Sequence, residues 1–136
     1  LEYIQRADPW PLNPDGELML GLKIEDRHSL PNADAIASVP GLSYAEWGPG
    51  DMSMSHGELD GHDPPYSDQM QRAFQTIKGA CDRAGLSFYC SWNDESMTDA
   101  ERVKYIMEEL KVNIMGAPDK AFADIGRELS GRTMPV

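Results

Sequence analysis

Two acidic residues that follow apolar, strand-like segments are the first candidates for chemistry in this chain. Glu25 ends the segment LMLGLKIE, and Asp51 follows the segment SYAEWG and a Gly-Pro-Gly turn, 26 residues later. That spacing is close to the length of one strand-helix repeat, and adjacent parallel strands would bring both carboxylates to the C-terminal edge of a sheet, where α/β proteins bind ligands. A pair of carboxylates at such an edge suits a hard divalent cation such as Mg²⁺ or Mn²⁺.

The turn before Asp51 adds a possible anion-binding element. Glycines flank a proline at residues 48–50, and glycine lets the backbone turn tightly and approach a ligand closely. Successive N–H groups at such a turn can bind a carboxylate. A cation beside an anion cradle predicts a site for a 2-oxo acid. A non-functional arrangement fits the same spacing, in which Glu25 caps a helix or pairs with Arg27 and Asp51 only follows a turn.

The elements that must position these residues alternate between strand and helix. Apolar runs, helical periodicity and capping residues predict, in chain order, strand 18–25, helix 31–38, strand 43–48, helix 66–84, strand 86–91, helix 98–110, strand 111–116 and helix 119–129. Residues 1–17 are expected to be an irregular lead-in, and 51–65 a long loop. Four βα units predict a parallel sheet with right-handed crossovers, either doubly wound or part of a barrel, but they cannot close a barrel of eight.

Composition limits the classes of partner. The chain has 136 residues, enough for one ordinary domain, and a formal net charge of −11. This charge disfavours nucleic acid and anionic membranes as partners, and no apolar run approaches the ~20 residues of a membrane span. The two cysteines lack a paired spacing and no signal peptide is visible, which predicts a protein of the reducing cytoplasm.

The segment LGLKIEDRHSLPNADAIASVPGLSYAEWGPGDMSMSHG resembles the HpcH/HpaI aldolase family, the class II pyruvate aldolases that include 2-oxo-heptanedioate aldolases. That family places a Glu at the end of one strand, then a helix with the pattern N..I..VPG, then GP.DLS..LG. This chain has IED, NADAIASVPG and GPGDMSMSHG in the same order and spacing, with a clear match over residues 18–57 and matching element order to about residue 129. The resemblance implies that residues 1–136 are a single region, the C-terminal (β/α)4 half of a TIM (β/α)8 barrel.

The resemblance further implies a metal-dependent pyruvate aldolase or lyase. Glu25 and Asp51 would bind Mg²⁺, Mn²⁺ or a similar ion such as Co²⁺, and the backbone N–H groups of Gly50 and Asp51 would hold the pyruvate carboxylate. The bound ion would stabilise the enolate that forms while a C–C bond to an aldehyde is broken or made. Lys23 stands where the family usually has Gln, so we expect it either to reach the substrate oxygens or to be a plain ion-pair partner.

Other residues and a partner follow from the same comparison. Trp47, His56 and His62 are candidates for the rim of the pocket, with core packing as the alternative for Trp47. The family's proton-transferring His and substrate-stabilising Arg stand on earlier strands, so the general base is expected in a missing N-terminal half. The chain would then be a natural split, a proteolytic fragment or an incomplete piece. We expect its open sheet to be covered by a complementary N-terminal half-barrel chain or by a second copy in a homo-oligomer.

Two other functions stay open at this point. A C–C lyase of the citrate lyase β-subunit or malyl-CoA type uses a similar Glu and Asp pair, but an acyl-CoA would need a basic groove, and residues 52–65 contain no Lys or Arg. A non-catalytic half-barrel subunit would retain metal and oxo-acid binding without turnover. Metal-dependent exchange of pyruvate methyl protons with deuterated water distinguishes the aldolase from the binding module.

Overall fold

Two parallel sheets lie in the part of the chain that the computed structural model describes, residues 8–132. The smaller sheet pairs β1 (Pro9–Trp10) with β2 (Leu18–Met19). The larger sheet has four strands, in the order β3 (Gly21–Ile24), β4 (Tyr44–Trp47), β5 (Ser87–Cys90) and β6 (Ile114–Met115).

Helices follow the strands of the larger sheet. They are α1 (Ala33–Ala37), α2 (Pro49–His56), α3 (Asp68–Ala84), α4 (Asp99–Lys104) and α5 (Lys120–Ser130). A 3₁₀ turn, Leu30–Asn32, leads into α1, and a π-helical segment, Tyr105–Glu109, continues α4. Ser67, Thr98 and Asp119 cap α3, α4 and α5, because their side-chain oxygens accept backbone N–H groups of the first turn. Across residues 8–132, no helix is both long and apolar enough to cross a membrane.

The strand order decides between the two arrangements that the sequence left open. In a doubly wound sheet the order reverses at a switch point, whereas β3, β4, β5 and β6 follow one another without reversal. With right-handed crossovers, an unreversed order places every connecting helix on the same face of the sheet, as in a TIM barrel. The larger sheet and its helices are therefore arranged as half of such a barrel.

The two faces of this sheet differ in chemistry because side chains alternate along each strand. On the helix-facing side the buried side chains are apolar and pack against α3 and the π-helical segment; they are Ile24, Ala45, Trp47, Phe88 and Cys90. The opposite side, here called the polar face, carries one row in which Lys23, Glu46 and Tyr89 are neighbours in the strand register. Tyr44 lies on the same face, with its ring centroid 6.3 Å from that of Tyr89. The core is thus on one side of the sheet and the polar groups on the other.

The predicted order of strands and helices is confirmed, but two segments predicted to be irregular are not. Within 51–65 the prediction of a loop is wrong, because Pro49–His56 forms α2. Pro49 suits a first helical turn, because an N–H at that position would have no acceptor within the helix. Gly57 ends the helix with a φ of 81°. Within 1–17, Pro9–Trp10 pairs with β2, and residues 1–7 of the lead-in lie outside the described residues.

Candidate functional site

The carboxylate of Glu25 lies over Gly48, at the ends of two neighbouring strands. Glu25 follows β3 and Gly48 follows β4, and a Cβ at residue 48 would overlap with Oε2 of Glu25. Nζ of Lys23 lies 2.9 Å from the same oxygen and forms an ion pair with it. Oε2 is buried, and no other described residue donates a hydrogen bond to it. Because a carboxylate oxygen can accept more than one such contact, a metal ion or a protonated ligand can share this oxygen with Lys23.

Asp51 and Gly50 belong to the first turn of α2, which begins directly after Gly48. The sequence places them after a tight turn, and the structure makes that turn the N-terminus of a helix. The first N–H groups of a helix have no intrahelical acceptor, and the N-cap residue Gly48 has no side chain that could accept from them. The helix dipole adds a partial positive charge at this end. The first turn of α2 can therefore bind an anion beside Glu25.

Charges of both signs converge around Lys23. Its pKa is raised, first through the contact with the carboxylate of Glu25 and further by the negative charges of Glu46 and Asp51. Three carboxylates thus act on one ammonium group, so the region has an excess of negative charge. Over residues 8–132, however, no three His, Cys, Asp or Glu side chains come close enough together to hold a metal ion by themselves.

Glu46 is a member of this cluster that the sequence analysis did not identify. It lies beside Lys23 on the polar face, and its pKa is raised, first by burial and also by the charge of Glu25, while Lys23 opposes the shift. The signal was present in the segment YAEW, because period-2 alternation places Tyr44 and Glu46 on one face and Ala45 and Trp47 on the other. A carboxyl group with a raised pKa at a ligand-binding edge is a candidate for function.

Trp47 lies on the helix-facing side of the sheet, where it packs in the core. This is the alternative that the sequence analysis gave for it. Its side chain is 1% exposed and meets the rings of Tyr66 and Phe74 edge-on, with centroid distances of 6.1 and 5.7 Å. The assignment of Trp47 to the pocket rim is therefore corrected to a core position. Arg27, the alternative partner of Glu25, instead directs its Nε to Nε2 of His28 at 3.4 Å.

The two histidines expected near the rim occupy opposite ends of α2. His56 is in the last turn of the helix, half-buried, and its Nε2 is buried without a hydrogen bond from the described residues. His62 follows the helix, but its loop returns to the first turn, where Cβ of His62 is 4.0 Å from the position that a Cβ on Gly50 would take. Nδ1 of His62 lies 2.6 Å from Oδ2 of Asp63. The structure therefore brings His62, and not His56, beside the candidate anion cradle.

Comparison with known proteins gives matches at the level of structure. Searches of protein-family models and of curated proteins give no match to this chain. A solved HpcH/HpaI aldolase from Desulfitobacterium hafniense DCB-2 superposes with a TM-score of 0.61 at 18% identity, over 85% of this chain and 41% of that one. A citrate lyase from Burkholderia xenovorans LB400 gives 0.67 at 18% identity, over 80% and 37%. A citrate synthase gives 0.61 at 22% identity, over 96% and 55%.

The chain has the fold of the HpcH/HpaI aldolases and citrate lyases. It spans between 37% and 55% of the length of these three structures, as expected for part of a larger barrel. The predicted fold class, an α/β half-barrel of this aldolase type, is thereby confirmed. At 18–22% identity the likeness establishes the fold alone.

The raised pKa of Glu46 predicts how stability depends on pH in the metal-free protein. Burial favours the protonated form in the folded state, so ionising Glu46 lowers the free energy of unfolding as the pH rises from the group's ordinary value of 4.5 through the folded-state pKa. Glu46→Gln, which is uncharged at every pH, should therefore be more stable than wild type at neutral pH and equally stable below the ordinary pKa. Urea unfolding of wild type and Glu46→Gln, at neutral pH and at a pH below the ordinary pKa, checks this prediction. Glu128→Gln, which changes an exposed carboxylate, is the control. Equal effects of Glu46→Gln at both pH values would contradict it.

Proposed function

We propose that this chain belongs to the HpcH/HpaI aldolases as the C-terminal half of a divalent-metal-dependent aldolase or lyase. The reaction makes or breaks a C–C bond through the enolate of a 2-oxo acid such as pyruvate, with an aldehyde as the second reactant. The observation that carries the proposal is the carboxylate of Glu25, whose buried oxygen is paired with Lys23 and lies over Gly48, beside the first turn of α2. The fold shared with an aldolase and a citrate lyase supports the reaction class.

Glu25 and Asp51 are the proposed metal ligands. Mg²⁺ commonly takes only one or two carboxylates and fills its other positions with water and substrate oxygens. This mode of coordination suits the site, because among residues 8–132 no third His, Cys, Asp or Glu side chain is close enough to complete a group of three ligands. Mg²⁺, Mn²⁺ or Co²⁺ held there would supply the positive charge that stabilises an enolate.

The remaining residues of the site would bind the 2-oxo acid. The N–H groups of Gly50 and Asp51 would donate hydrogen bonds to its carboxylate, assisted by the dipole of α2. Lys23, whose ammonium form is favoured by the surrounding carboxylates, would orient Glu25 and donate to the 2-oxo oxygen. Because Glu25, Glu46 and Asp51 repel an anion, binding of the acid should require the metal.

A lyase of the citrate lyase type is the second candidate. The superposition on a citrate lyase, with a TM-score of 0.67, favours it, and it would use the same Glu25 and Asp51 pair. The segment 52–65, which includes the end of α2 and the loop beside its first turn, contains no Lys or Arg to bind the phosphates of an acyl-CoA. We therefore prefer a free 2-oxo acid to an acyl-CoA as the substrate.

Metal-dependent proton exchange tests the proposed function. With Mg²⁺ or Mn²⁺ present, the wild-type chain assembled with an N-terminal half-barrel that supplies the general base should exchange the methyl protons of pyruvate with deuterated water, and a chelator should abolish the exchange. Glu25→Gln and Asp51→Asn should each reduce the rate by at least ~100-fold, because each removes a metal ligand. Proton NMR of the pyruvate methyl signal measures the rate, and Glu128→Gln, an exposed carboxylate on α5, is the matched control.

Two results of this experiment would contradict the proposal. Exchange that persists in both Glu25→Gln and Asp51→Asn would remove these residues from the site. Metal-dependent pyruvate binding without any exchange in the complete assembly would instead identify a non-catalytic half-barrel subunit. The same assay with an acyl-CoA in place of pyruvate distinguishes the citrate lyase type of reaction.

We also propose that the polar face is covered by another polypeptide, either a complementary N-terminal half-barrel or a second copy. Among the described residues, 8–132, β3 and β6 of the four-stranded sheet each have a strand neighbour on one side only, and open strand edges readily pair with other chains. Partly exposed Tyr44, Glu46 and Tyr89 lie between those edges. A partner strand at each edge would complete the barrel around these groups.

Sedimentation of the purified protein tests this association. We expect a particle larger than the 15.1 kDa of one chain, and denaturing mass spectrometry then identifies the partner as a second polypeptide or a second copy. A folded particle of 15.1 kDa at micromolar concentration would contradict the proposal.

A further inference from the structure

We propose that Glu46 is a positioning residue, which holds the ammonium group of Lys23 in the site when a divalent cation binds Glu25. The inference rests on the proposed function and adds to it a residue outside the predicted site. It starts from an oxygen that two positive groups would share. Nζ of Lys23 lies 2.9 Å from Oε2 of Glu25, and the same carboxylate is a proposed metal ligand.

Lys23 and a bound cation would compete for the carboxylate of Glu25. A cation at Oε2 would lie close to the ammonium group, and two positive charges at short distance repel each other. The side chain of Lys23 is 50% exposed, and its four-carbon stem is flexible, so the ammonium group can move. Lys23 therefore needs a second acceptor if it is to stay in the site while the cation binds.

Glu46 is the carboxylate that remains available for this role. Three carboxylates favour the ammonium form of Lys23, first Glu25 through direct contact and then Glu46 and Asp51 through their charges. Because Glu25 and Asp51 are the proposed metal ligands, only Glu46 is left to pair with the ammonium group. Glu46 is the direct neighbour of Lys23 in the register of β3 and β4. Neighbouring strands are about 4.8 Å apart, so the two side chains leave the same face within reach of each other.

The fold keeps Glu46 on the polar face, and the charges of the site require it there. Its chain neighbours Ala45 and Trp47 are buried on the helix-facing side, so alternation along β4 directs the half-buried side chain of Glu46 towards Lys23. With a divalent cation bound, the three carboxylates and the ammonium group would balance the charge of the cation. Without Glu46, the cation and the ammonium group would share two carboxylates and repel each other.

A double-mutant cycle of Mn²⁺ binding tests whether Glu46 acts through Lys23. Glu46→Gln should weaken Mn²⁺ binding about 10-fold when Lys23 is present. In the Lys23→Gln background the same change should weaken it less than about threefold, because only the screened attraction between Glu46 and the cation is lost. Water proton relaxation at about 0.15 M salt measures the affinities. Glu128→Gln, an exposed carboxylate on α5, should leave the affinity unchanged in both backgrounds.

A conservative variant separates this role from a structural one. Glu46→Asp keeps the charge on a shorter stem and should recover part of the affinity that Glu46→Gln loses. Unfolding does not explain a loss in Glu46→Gln, since that variant is expected to be more stable than wild type at neutral pH. An equal loss of affinity in both backgrounds, or no loss in either, would overturn the role of Glu46 and leave the proposed metal site intact. No Mn²⁺ binding by wild type would overturn both.

Discussion

The carboxylate of Glu25 can occupy its position only because residue 48 has no side chain. The parallel register of β3 and β4 brings the two strand ends together, and the space above Gly48 is filled by Oε2 of Glu25. Because α2 begins at Pro49, the same glycine also sets where the N–H groups of the first helical turn lie. The pair of Glu25 and Gly48 therefore connects the acidic group to the anion cradle, and the proposed chemistry needs both.

Packing on the opposite side of the sheet keeps this pair in place. Trp47 precedes Gly48 in the chain, and its ring is enclosed by Tyr66 and Phe74. Tyr66 also bonds to the backbone of His62, so one aromatic cluster positions both the end of β4 and the loop beside α2. The buried helix-facing residues thus support the site from below, while alternation along β4 directs Glu46 to the polar face. A rigid apolar scaffold under a polar edge is the usual arrangement of α/β binding sites.

Much of the fold could be predicted because strong local signals and the global fold agree. The capping box of Thr98 and Glu101 and the apolar stripe of α3 are present in the sequence. The helix α2 could not be predicted from periodicity, since only Met52 and Ser53 are buried in it and it shows little amphipathicity. The start of its pattern, a proline followed by a glycine and an acidic residue, is also typical of a turn.

At the candidate site, the spacing of Glu25 and Asp51 indicates which two strand ends meet. It does not indicate how deeply each side chain is buried. The exposure of a side chain depends on tertiary contacts, so the sequence leaves Trp47 open between the rim and the core and does not identify Glu46. The return of the loop to α2 depends on long-range contacts of Tyr66 and Glu58, so the position of His62 beside Gly50 required the structure.

The most direct measurement is Mn²⁺ binding by wild type and by Gly48→Ala, followed through water proton relaxation. Gly48 has φ −106° and ψ 85°, a backbone conformation outside the left-handed region, so the added methyl group acts through its overlap with Glu25. Gly126→Ala is the control, because its Cβ would be 3.8 Å from Val103, an ordinary contact. We expect wild type and the control to bind Mn²⁺, and Gly48→Ala to bind it at least ~10-fold more weakly. Equal affinity in Gly48→Ala and wild type, or no binding by wild type, would contradict it.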